Sequence, residues 1–378
     1  MAVYLVRRAT LLDTKKVWQI RNYPQNRRNF NNSDKIALKS HLAWFKHKYF
    51  TGKDNYCFIL ENEKRYAIGY CRFDFEKEGR AYIVSIAISP DYQGLGLGDK
   101  LLYGALRQFD NRHDILAEIK RNNIASLKLF EKNGFKTFKT DEKNYYLKYK
   151  KNNVEKNYVI AAINPWNVEN FKLYFGKKRN FYFISKKEDL TYKKLKAINP
   201  RYIFLPHWSW IIPEEIWSNF ECVVFHMTDL PYGRGGTPLQ NLIIRGHKKT
   251  KISAIRANGR LDAGDVYLKE GLSLAGRAEE IYWRATKIIY KKMISYIIKN
   301  NPIAQKQIGR PTIFKRIKPK QSKITDDISI KKIYDFIRML DAEKYPNAFL
   351  ETKYLKFSFS KVKKSKNKFT AAVTIYEK

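Results

Sequence analysis

The order of apolar and polar residues divides the first part of the chain into alternating helices and strands. Apolar side chains recur at helical spacing in LLDTKKVWQIRN and HLAWFKHKYF, which predicts two amphipathic helices. YCFILEN and YAIGYCRFDF, joined by the polar turn ENEKR, and the β-branched run AYIVSIAI are typical of strands. A glycine-rich turn and a helix follow. DILAEI, NIASLKLFEKNGF and NYYLKYK then predict a strand, a helix closed by Gly134 and a last strand.

A second alternation starts after the polar segment 151–156, which we interpret as a linker. YVIAAI, FYFIS, YIFLPH and CVVFH predict strands, and NVENFKLYF and PEEIWSNF predict helices between them. Such alternation predicts a parallel, doubly wound sheet whose active residues lie at the carboxyl ends of the strands. His207 and His226 each end one of these strands. A helix from Gly276 to about Lys299 closes the unit.

The remaining residues predict a small extension. RPTIFKRIKPKQSK, residues 310–323, is a basic extended connector, SIKKIYDFIRMLDA is helical, and YLKFSFSKV with FTAAVTIYEK predicts a hairpin. We therefore expect an α/β protein. Its predicted parts are a mixed sheet with helices in 1–150, a linker in 151–156, a doubly wound, Rossmann-like domain in 157–309 and an α+β extension in 310–378.

Composition narrows the class of protein. The 378 residues are 44% hydrophobic and 15% aromatic, which indicates a globular chain. No apolar run approaches the length of a membrane span, and the first residues lack the pattern of a signal peptide, so we expect a cytoplasmic protein. Three scattered cysteines are too few for a disulfide framework or a zinc site, and we expect no metal.

The net charge of +38 has two explanations that the sequence leaves open. Residues 1–150 carry 29 Lys and Arg against 16 Asp and Glu, and the rest of the chain carries 45 against 20. The excess is therefore spread along the chain. This favours a compositional habit of the source proteome, although such a field would also steer an anionic partner, either tRNA or a nucleotide diphosphate.

A glycine-rich turn in the first domain follows a strand and opens a helix, which suits a phosphate group because backbone N–H groups point at the ligand. A plain structural turn is the alternative. Together with NNIASLKLFEKNGF, this segment resembles the GNAT N-acetyltransferases. The resemblance implies that acetyl-CoA binds at the turn and that Asn123 lies near the pantetheine arm. The residues of the turn are Gln93, Gly94, Leu95, Gly96, Leu97 and Gly98.

One position departs from the GNAT pattern. Many members have a tyrosine before E-K-x-G-F that protonates the leaving thiolate, and this chain has Phe130. Tyr145, Tyr146 or a water molecule would have to replace it, or the reaction proceeds without an acid. A domain that binds acyl-CoA without efficient transfer is the alternative.

The segment from His226 to Asp265 carries the second set of chemical groups. It contains the sequence FHMTDLPYGRGGTPLQNLI and then GRLDAGD, so that Asp262 follows His226 by 36 residues. The spacing resembles the active-site core of the folate-dependent formyltransferases. This resemblance implies 10-formyltetrahydrofolate as the formyl donor, with His226 and Asp262 as catalytic residues. A hydrogen-bonding strand-end histidine and a turn aspartate are the structural alternatives.

The family's asparagine, two residues before the histidine, is replaced here by Val224. Valine cannot stabilise an oxyanion. We take His207 as the first candidate for a catalytic substitute, with Gln240 and Asn241 as alternatives, and a packing role for His207 stays open.

Further residues near this segment are candidates for the ligand site. We expect the loop that contains Arg234 and Gly235 to pass close to the substrate, unless it is an ordinary turn. Trp208 and Trp210 are candidates to line a pterin pocket, and packing in the core is the alternative.

Two acyl-transfer domains in one chain suggest two amine acylations in one pathway. We expect a UDP- or dTDP-linked amino sugar as the small-molecule amine, in surface-glycan or nonulosonic-acid biosynthesis. The alternatives are a tRNA-directed formyltransferase with a fused acetyltransferase, and a catalytically impaired binding protein. The sequence leaves the oligomeric state open, a homodimer included.

Overall fold

The computed structural model describes residues 4–52, 54–109, 113–150, 156–325, 328–343, 345–366 and 368–378. The chain forms two compact units, Met1–Lys156 and Asn157–Lys378. Residues 151–155 of the predicted linker lie outside the described residues.

The first unit is built on a seven-stranded sheet of order β1-β2-β3-β4-β5-β7-β6, in which only β4 and β5 pair in parallel. The five predicted strands are confirmed, and β1 and β6 are strands that the sequence analysis did not predict. The strands are β1 (Tyr4–Arg8), β2 (Tyr56–Asn62), β3 (Ala67–Glu76), β4 (Ala81–Ile88), β5 (Ile115–Lys120), β6 (Lys136–Thr140) and β7 (Asn144–Tyr149).

Helices cover both faces of this sheet and bury two apolar clusters. Leu101, Leu102 and Ala105 recur on one side of α4 and are fully buried on one face of the sheet. Val17 and Ile20 of α1 pack with Phe45 of α3 in the other cluster. The helices are α1 (Thr14–Asn22), α2 (Pro24–Arg27), α3 (Leu38–Lys46, continued by a π-helical turn at His47–Thr51), α4 (Leu97–Gln108) and α5 (Ile124–Lys132).

The second unit contains a six-stranded sheet of order β14-β13-β11-β10-β8-β9. The four predicted strands β9, β8, β10 and β11 are parallel, as expected, and the α/β class is confirmed. Two further strands extend the sheet, which the sequence analysis did not anticipate: β13 pairs antiparallel with β11, and β14 pairs antiparallel with β13. The strands are β8 (Tyr158–Ala161), β9 (Phe181–Ile184), β10 (Tyr202–Pro206), β11 (Cys222–His226), β12 (Arg234–Gly235, outside the main sheet), β13 (Lys249–Arg256) and β14 (Val266–Ser273).

Helix α10 and its continuation pack on the larger apolar cluster of this unit. Tyr282 lies one turn before Thr286 and two turns before Tyr290, and all three are buried on one side of the helix. The Tyr282 ring stacks on Trp166 of α6 at 5.0 Å. The helices are α6 (Pro165–Phe175), α7 (Tyr192–Ile198), α8 (Glu214–Trp217), α9 (Pro238–Ile244), α10 (Ala278–Ile288, continued by a π-helical turn at Ile289–Ile294), α11 (Ser295–Asn300) and α12 (Ile330–Arg338).

The C-terminal residues share the core of the second unit. Met339 and Ala348 are fully buried in the same cluster as Trp166 and Ile289. The Arg338 guanidinium donates to the carbonyl oxygens of Leu274 and Gly276. The predicted hairpin is confirmed, and one further strand pairs with it to form a three-stranded sheet. The strands are β15 (Ile313–Phe314, paired with β12), β16 (Ala348–Glu351), β17 (Leu355–Lys364) and β18 (Phe369–Glu377).

A search of the described residues for a helix that is long and apolar enough to cross a membrane found none.

A buried ionic cluster fixes the first turn of the chain to the sheet of the first unit. Arg7 on β1 donates to both carboxylate oxygens of Asp13, at 2.7 and 2.8 Å, and to Glu61 on β2 at 2.6 Å. Burial alone would raise the pKa of Asp13. The hydrogen bonds and charge of Arg7 outweigh it and lower that pKa below its ordinary value.

We predict that Asp13→Asn destabilises the first unit by about 3–5 kcal/mol near pH 7, because it leaves Arg7 short of a buried counter-charge. Since the folded-state pKa of Asp13 is lowered, its stabilisation is present above the unfolded pKa of about 3.9 and is lost as the pH falls through the folded value. Urea unfolding at about pH 7 and about pH 3 should therefore show a difference between wild type and variant that shrinks on acidification. An equal difference at both pH values would contradict the assignment.

Candidate functional site

The glycine-rich turn of the first unit connects β4 to the N-terminus of α4. Gly94 and Gly96 have φ values of +79° and +70°, which favour glycine, and a Cβ atom at either position would meet nothing within 4 Å. Gly96 is the N-cap of α4 and no side chain caps the helix. The first N–H groups of this twelve-residue helix are therefore open to an anion, as the sequence predicts.

A residue that the sequence analysis missed anchors this turn. The Asn26 amide donates to the backbone oxygens of Ile20 at 2.7 Å and Ile88 at 3.0 Å. The Gln93 amide in turn donates to the Asn26 side-chain oxygen at 2.9 Å and to Ile88 O at 3.0 Å. Gln93 thus holds the turn in position. Nothing in the amino-acid sequence indicated that Asn26 would be its partner.

The other residues that the sequence analysis assigned to this site differ in their exposure and contacts. Leu95 is exposed, whereas Leu97 is buried in the core beneath α4. A Cβ atom at Gly98 would lie 3.2 Å from Leu129 of α5, so this glycine allows the two helices to approach. The Asn123 side chain accepts a hydrogen bond from Ser126 N at 3.2 Å and caps α5.

The position of the expected tyrosine is part of the core. Phe130 is 3% exposed and packs edge-on against Phe135 at 4.9 Å. Of the two candidate replacements, Tyr146 donates its hydroxyl to Asp141 at 2.9 Å, and this hydrogen bond raises its pKa. Tyr145 lies under the Arg121 guanidinium.

In the second unit the structure brings His226 and Asp262 together. His226 Nε2 lies 2.8 Å from the carbonyl oxygen of Gly233, and Nδ1 lies 3.5 Å from the Asp262 carboxylate. Because a carbonyl oxygen only accepts, Nε2 carries the hydrogen of its bond. The two side chains are 8% and 11% exposed, so solvent screens their interaction only weakly.

Asp262 lies in a left-handed turn with a φ of +47°. Its carboxylate accepts a hydrogen bond from Gly235 N at 2.9 Å. Gln307, which the sequence analysis missed, donates to the backbone oxygens of Asp262 and Gly264 at 2.8 Å and accepts from the Arg234 guanidinium at 2.7 Å. Arg234 therefore joins its own loop to the turn of Asp262 through Gln307. Nothing in the sequence indicated this contact.

The glycines of the Arg234 loop make room for the connector. A Cβ atom at Gly233 would lie 2.5 Å from the Phe314 ring, at Gly235 it would lie 2.6 Å from Phe314 O, and at Gly236 it would lie 2.6 Å from the Arg316 Cβ. The close approach at this loop is thus to residues 312–316, which cross it in parallel pairing with β12.

Val224 replaces the asparagine of the family, and Gln240 and Asn241 are the alternative substitutes for it. All three side chains contact other parts of the second unit. Val224 packs against the apolar cluster of β10 and β11. The Gln240 amide donates to Met339 O at 3.1 Å, and the Asn241 amide donates to Lys315 O at 2.9 Å. Both amides therefore hold the C-terminal residues in place.

His207 lies at the end of β10 in a left-handed conformation with a φ of +53°. Its ring packs edge-on against Trp166 and Tyr282, and its Nδ1 lies 3.5 Å from the Thr286 hydroxyl. Burial lowers the pKa of His207 to about 4, so the ring is neutral near pH 7. Its Nε2 is buried and has no hydrogen-bond partner among the described residues.

Trp208 and Trp210 contact each other edge-on at 5.1 Å in the loop after β10. The Trp208 indole nitrogen is buried without a partner in the described part of the chain. Within that part, no group of three or more His, Cys, Asp or Glu side chains is placed to hold a metal ion.

Comparison with known proteins gives two family matches. Residues 18–135 match the acetyltransferase (GNAT) family, and residues 319–376 match the C-terminal domain of methionyl-tRNA formyltransferase. The latter match covers most of the segment that the sequence analysis treated as a small extension.

Individual relatives agree with this division. Methionyl-tRNA formyltransferases of Rickettsia felis and Rickettsia prowazekii are 27% and 36% identical over 201 and 93 residues, or 51% and 24% of this chain. The chain spans 65% and 31% of their length and about half of a third relative, from Caldicellulosiruptor saccharolyticus.

A solved structure, methionyl-tRNA formyltransferase from Clostridium thermocellum, is 52% identical with a TM-score of 0.58. The match covers 59% of this chain and all of that one. The chain therefore belongs to the formyltransferase family that includes methionyl-tRNA formyltransferase, and it carries an N-terminal domain of a second transferase family, the GNAT acetyltransferases.

Proposed function

We propose that the second unit transfers a formyl group from 10-formyltetrahydrofolate to a primary amine. The observation that carries the proposal is the buried His226–Asp262 pair, which two loops and the connector hold in one arrangement. The amine nitrogen forms a bond to the formyl carbon, and the bond from that carbon to the folate nitrogen breaks. The proton that the amine loses goes to the leaving nitrogen.

His226 is the group suited to move this proton. With Nε2–H directed at Gly233 O, Nδ1 is the ring nitrogen left to accept a proton, and it lies 3.5 Å from the Asp262 carboxylate. The carboxylate stabilises the resulting imidazolium, and the bond from Gly235 N keeps it in position. Asp262 thus orients His226 and balances its charge.

The oxyanion requires a further donor, because Val224 has none. His207 remains our first candidate. Strands β10 and β11 pair in parallel as far as Pro206 and Phe225, and His207 and His226 are the next residues along these two adjacent strands. Strands in a sheet lie about 4.8 Å apart. The unpartnered Nε2 of His207 is free to donate in one tautomer.

The residues present fit both cofactors. The donor 10-formyltetrahydrofolate supplies the formyl group, and the unpartnered Trp208 indole N–H with the adjoining Trp210 ring suits a flat, hydrogen-bonding pterin. In the first unit, the open helix N-terminus and the space at Gly94 and Gly96 suit the pyrophosphate of acetyl-CoA.

We propose that the first unit acetylates an amine. The amine nitrogen bonds to the acetyl carbon and gives up a proton to water, the carbon–sulfur bond breaks, and the thiolate leaves and takes up a proton. Since Phe130 cannot supply the proton of the thiolate, it comes from water or from a tyrosine of β7.

For the amine itself we propose a nucleotide-linked amino sugar, with both reactions in the cytoplasm, because two amine acylations fit one small molecule. One observation favours aminoacyl-tRNA as a second candidate: the match of residues 319–376 to the C-terminal domain of methionyl-tRNA formyltransferase. A binding protein without activity is the third, suggested by Val224 and Phe130.

Purified protein, 10-formyltetrahydrofolate and acetyl-CoA should be incubated with a UDP-linked amino sugar or with initiator methionyl-tRNA, and the products identified by mass spectrometry. A formylated sugar supports the first candidate and a formylated tRNA the second. Absence of folate turnover with either amine would favour the binding protein.

We predict that His226→Ala and Asp262→Ala each lower the rate of formyl transfer by about 10²–10⁴-fold, because proton transfer loses its acceptor or the group that orients it. The rate is measured with the amine that the wild type formylates. His247→Ala, which removes a histidine bound to Tyr232, is the control and should keep the activity. Full formylation by both site variants would refute the assignment.

We predict that Gly96→Asp weakens CoA binding at least about tenfold, since it adds a negative charge at the helix N-terminus that faces the phosphates. The matched control is Gly246→Asp, because Gly246 also has a positive φ, +78°, and open space around it. Calorimetric titration with CoA measures both. Unchanged affinity in Gly96→Asp would place the cofactor elsewhere.

A further inference from the structure

The first unit contains arginine side chains that the two acyl-transfer sites do not use. Arg21 lies at the end of α1, Arg27 on α2 and Arg72 on β3. Side chains alternate along a strand, so Arg72 lies on the same face of β3 as Tyr70, which packs with Ile20 of α1. The charges of Arg72 and Arg27 act on Arg21, and we call the place where these three side chains meet the arginine pocket.

Each of these three arginines has a buried nitrogen atom without a hydrogen-bond partner among the described residues. Arg21 is only 7% exposed; one of its terminal nitrogens donates to Asn32 O, and Nη1 is buried and unpartnered. Arg27 donates from Nη1 to Ser33 O at 3.1 Å, and its Nε is buried and unpartnered. Buried N–H groups are rarely left unsatisfied, so these donors require a ligand or ordered water.

Positive charge exceeds negative charge in the pocket. Arg72 forms an ion pair with Asp74 at 3.6 Å, and Asp74 also pairs with Lys48 at 3.3 Å. Among the described residues, neither Arg21 nor Arg27 forms an ion pair. Burial lowers the pKa of Arg21, the Tyr70 hydroxyl opposes this, and the nearby charges of Arg72 and Arg27 lower it further. A buried guanidinium without a counter-ion is unfavourable, which an anion would relieve.

The pocket adjoins the place where acetyl transfer would occur. Asn26, next to Arg27, binds the last carbonyl of β4 at Ile88 and also accepts from Gln93 of the glycine-rich turn. Lys120 at the end of β5 donates to Arg28 O at 2.9 Å. Helix α2 therefore lies over the carboxyl ends of β4 and β5, which pair in parallel.

We propose that the arginine pocket binds an anionic group, a carboxylate or a phosphate, on the amine that the first unit acetylates. The proposal rests on the acetyl transfer proposed above and names the class of its acceptor. Guanidinium groups match both anions because their N–H donors form two parallel hydrogen bonds. The competing explanation is that Arg21 and Arg27 only hold the loop 28–37, whose carbonyl oxygens they bind.

Pairs of amines that differ in the anion test the proposal. The full chain with acetyl-CoA is assayed by release of the CoA thiol, with 2-aminoethyl phosphate against 2-aminoethanol and β-alanine against β-alaninamide. The anionic member of at least one pair should have the higher kcat/KM, and the preferred pair tells phosphate from carboxylate. Arg21→Gln should lower kcat/KM for that member by about 10- to 100-fold and leave the neutral member unchanged.

Two further variants separate binding from folding. Arg21→Lys keeps the charge and should recover part of the preference, and Arg80→Gln, an exposed arginine in the turn before β4, should keep all of it. Circular dichroism and urea unfolding confirm that each variant folds. Equal kcat/KM for both members of each pair, or a preference that survives in Arg21→Gln, would overturn the proposal while acetyl transfer stands.

A binding readout covers the case in which no amine is acetylated. Inorganic phosphate is titrated against the protein saturated with CoA, with sodium chloride at matched ionic strength, and the unfolding temperature is recorded. Stabilisation by phosphate in the wild type and in Arg80→Gln, but not in Arg21→Gln, supports the pocket. No stabilisation, or the same in all three, overturns it. Failure to bind CoA overturns the proposed acetyl transfer separately.

Discussion

The close crossing of the connector over the Arg234 loop is the constraint on which the second site depends. Phe314 and Arg316 lie so near this loop that a side chain at Gly233, Gly235 or Gly236 would overlap with them. The crossing fixes the Gly233 carbonyl that binds His226 and the Gly235 N–H that binds Asp262. The His226–Asp262 pair is thus held by a loop that in turn packs against residues about 80 positions further along the chain.

The sequence predicted the elements whose apolar pattern is strong. The parallel strands of the second unit, with apolar runs such as CVVFH, and helix α4 were all found where expected. Strands β6 and β13 were missed because KTFKT and KTKISAIR carry many lysines and threonines, which suit an exposed edge or a loop equally well. The pairing of His226 with Asp262 followed from the family spacing. Gln307 and Asn26 could not be foreseen, because their roles exist only through partners distant in sequence.

Charge has different meanings at different places in this chain. Most of the excess of +38 is spread along the sequence, as a compositional habit would leave it. A buried arginine needs an explanation of its own, because taking a guanidinium out of water is costly unless a partner is present. Arg7 has two carboxylates and serves stability, whereas Arg21 has a carbonyl oxygen, the Phe30 ring and a nitrogen without a hydrogen-bond partner among the described residues. The same residue type therefore marks a structural cluster at one place and, as we propose, an anion site at the other.

The position of Val224 shows why the customary asparagine is absent without loss of packing. In the sheet, Val224 lies between Leu205 of β10 and Ile255 of β13, and it packs on the apolar cluster of that face. Val224 is half-buried, so an asparagine amide in its place would lose part of its contact with water, at a cost of at most about 1–3 kcal/mol. The donor for the oxyanion must then come from the loops that follow the strands, where backbone and side chains are less constrained. His207 begins such a loop next to His226, and its neutral ring has an Nε2 without a partner among the described residues, whereas the Gln240 and Asn241 amides are already bonded to the C-terminal residues.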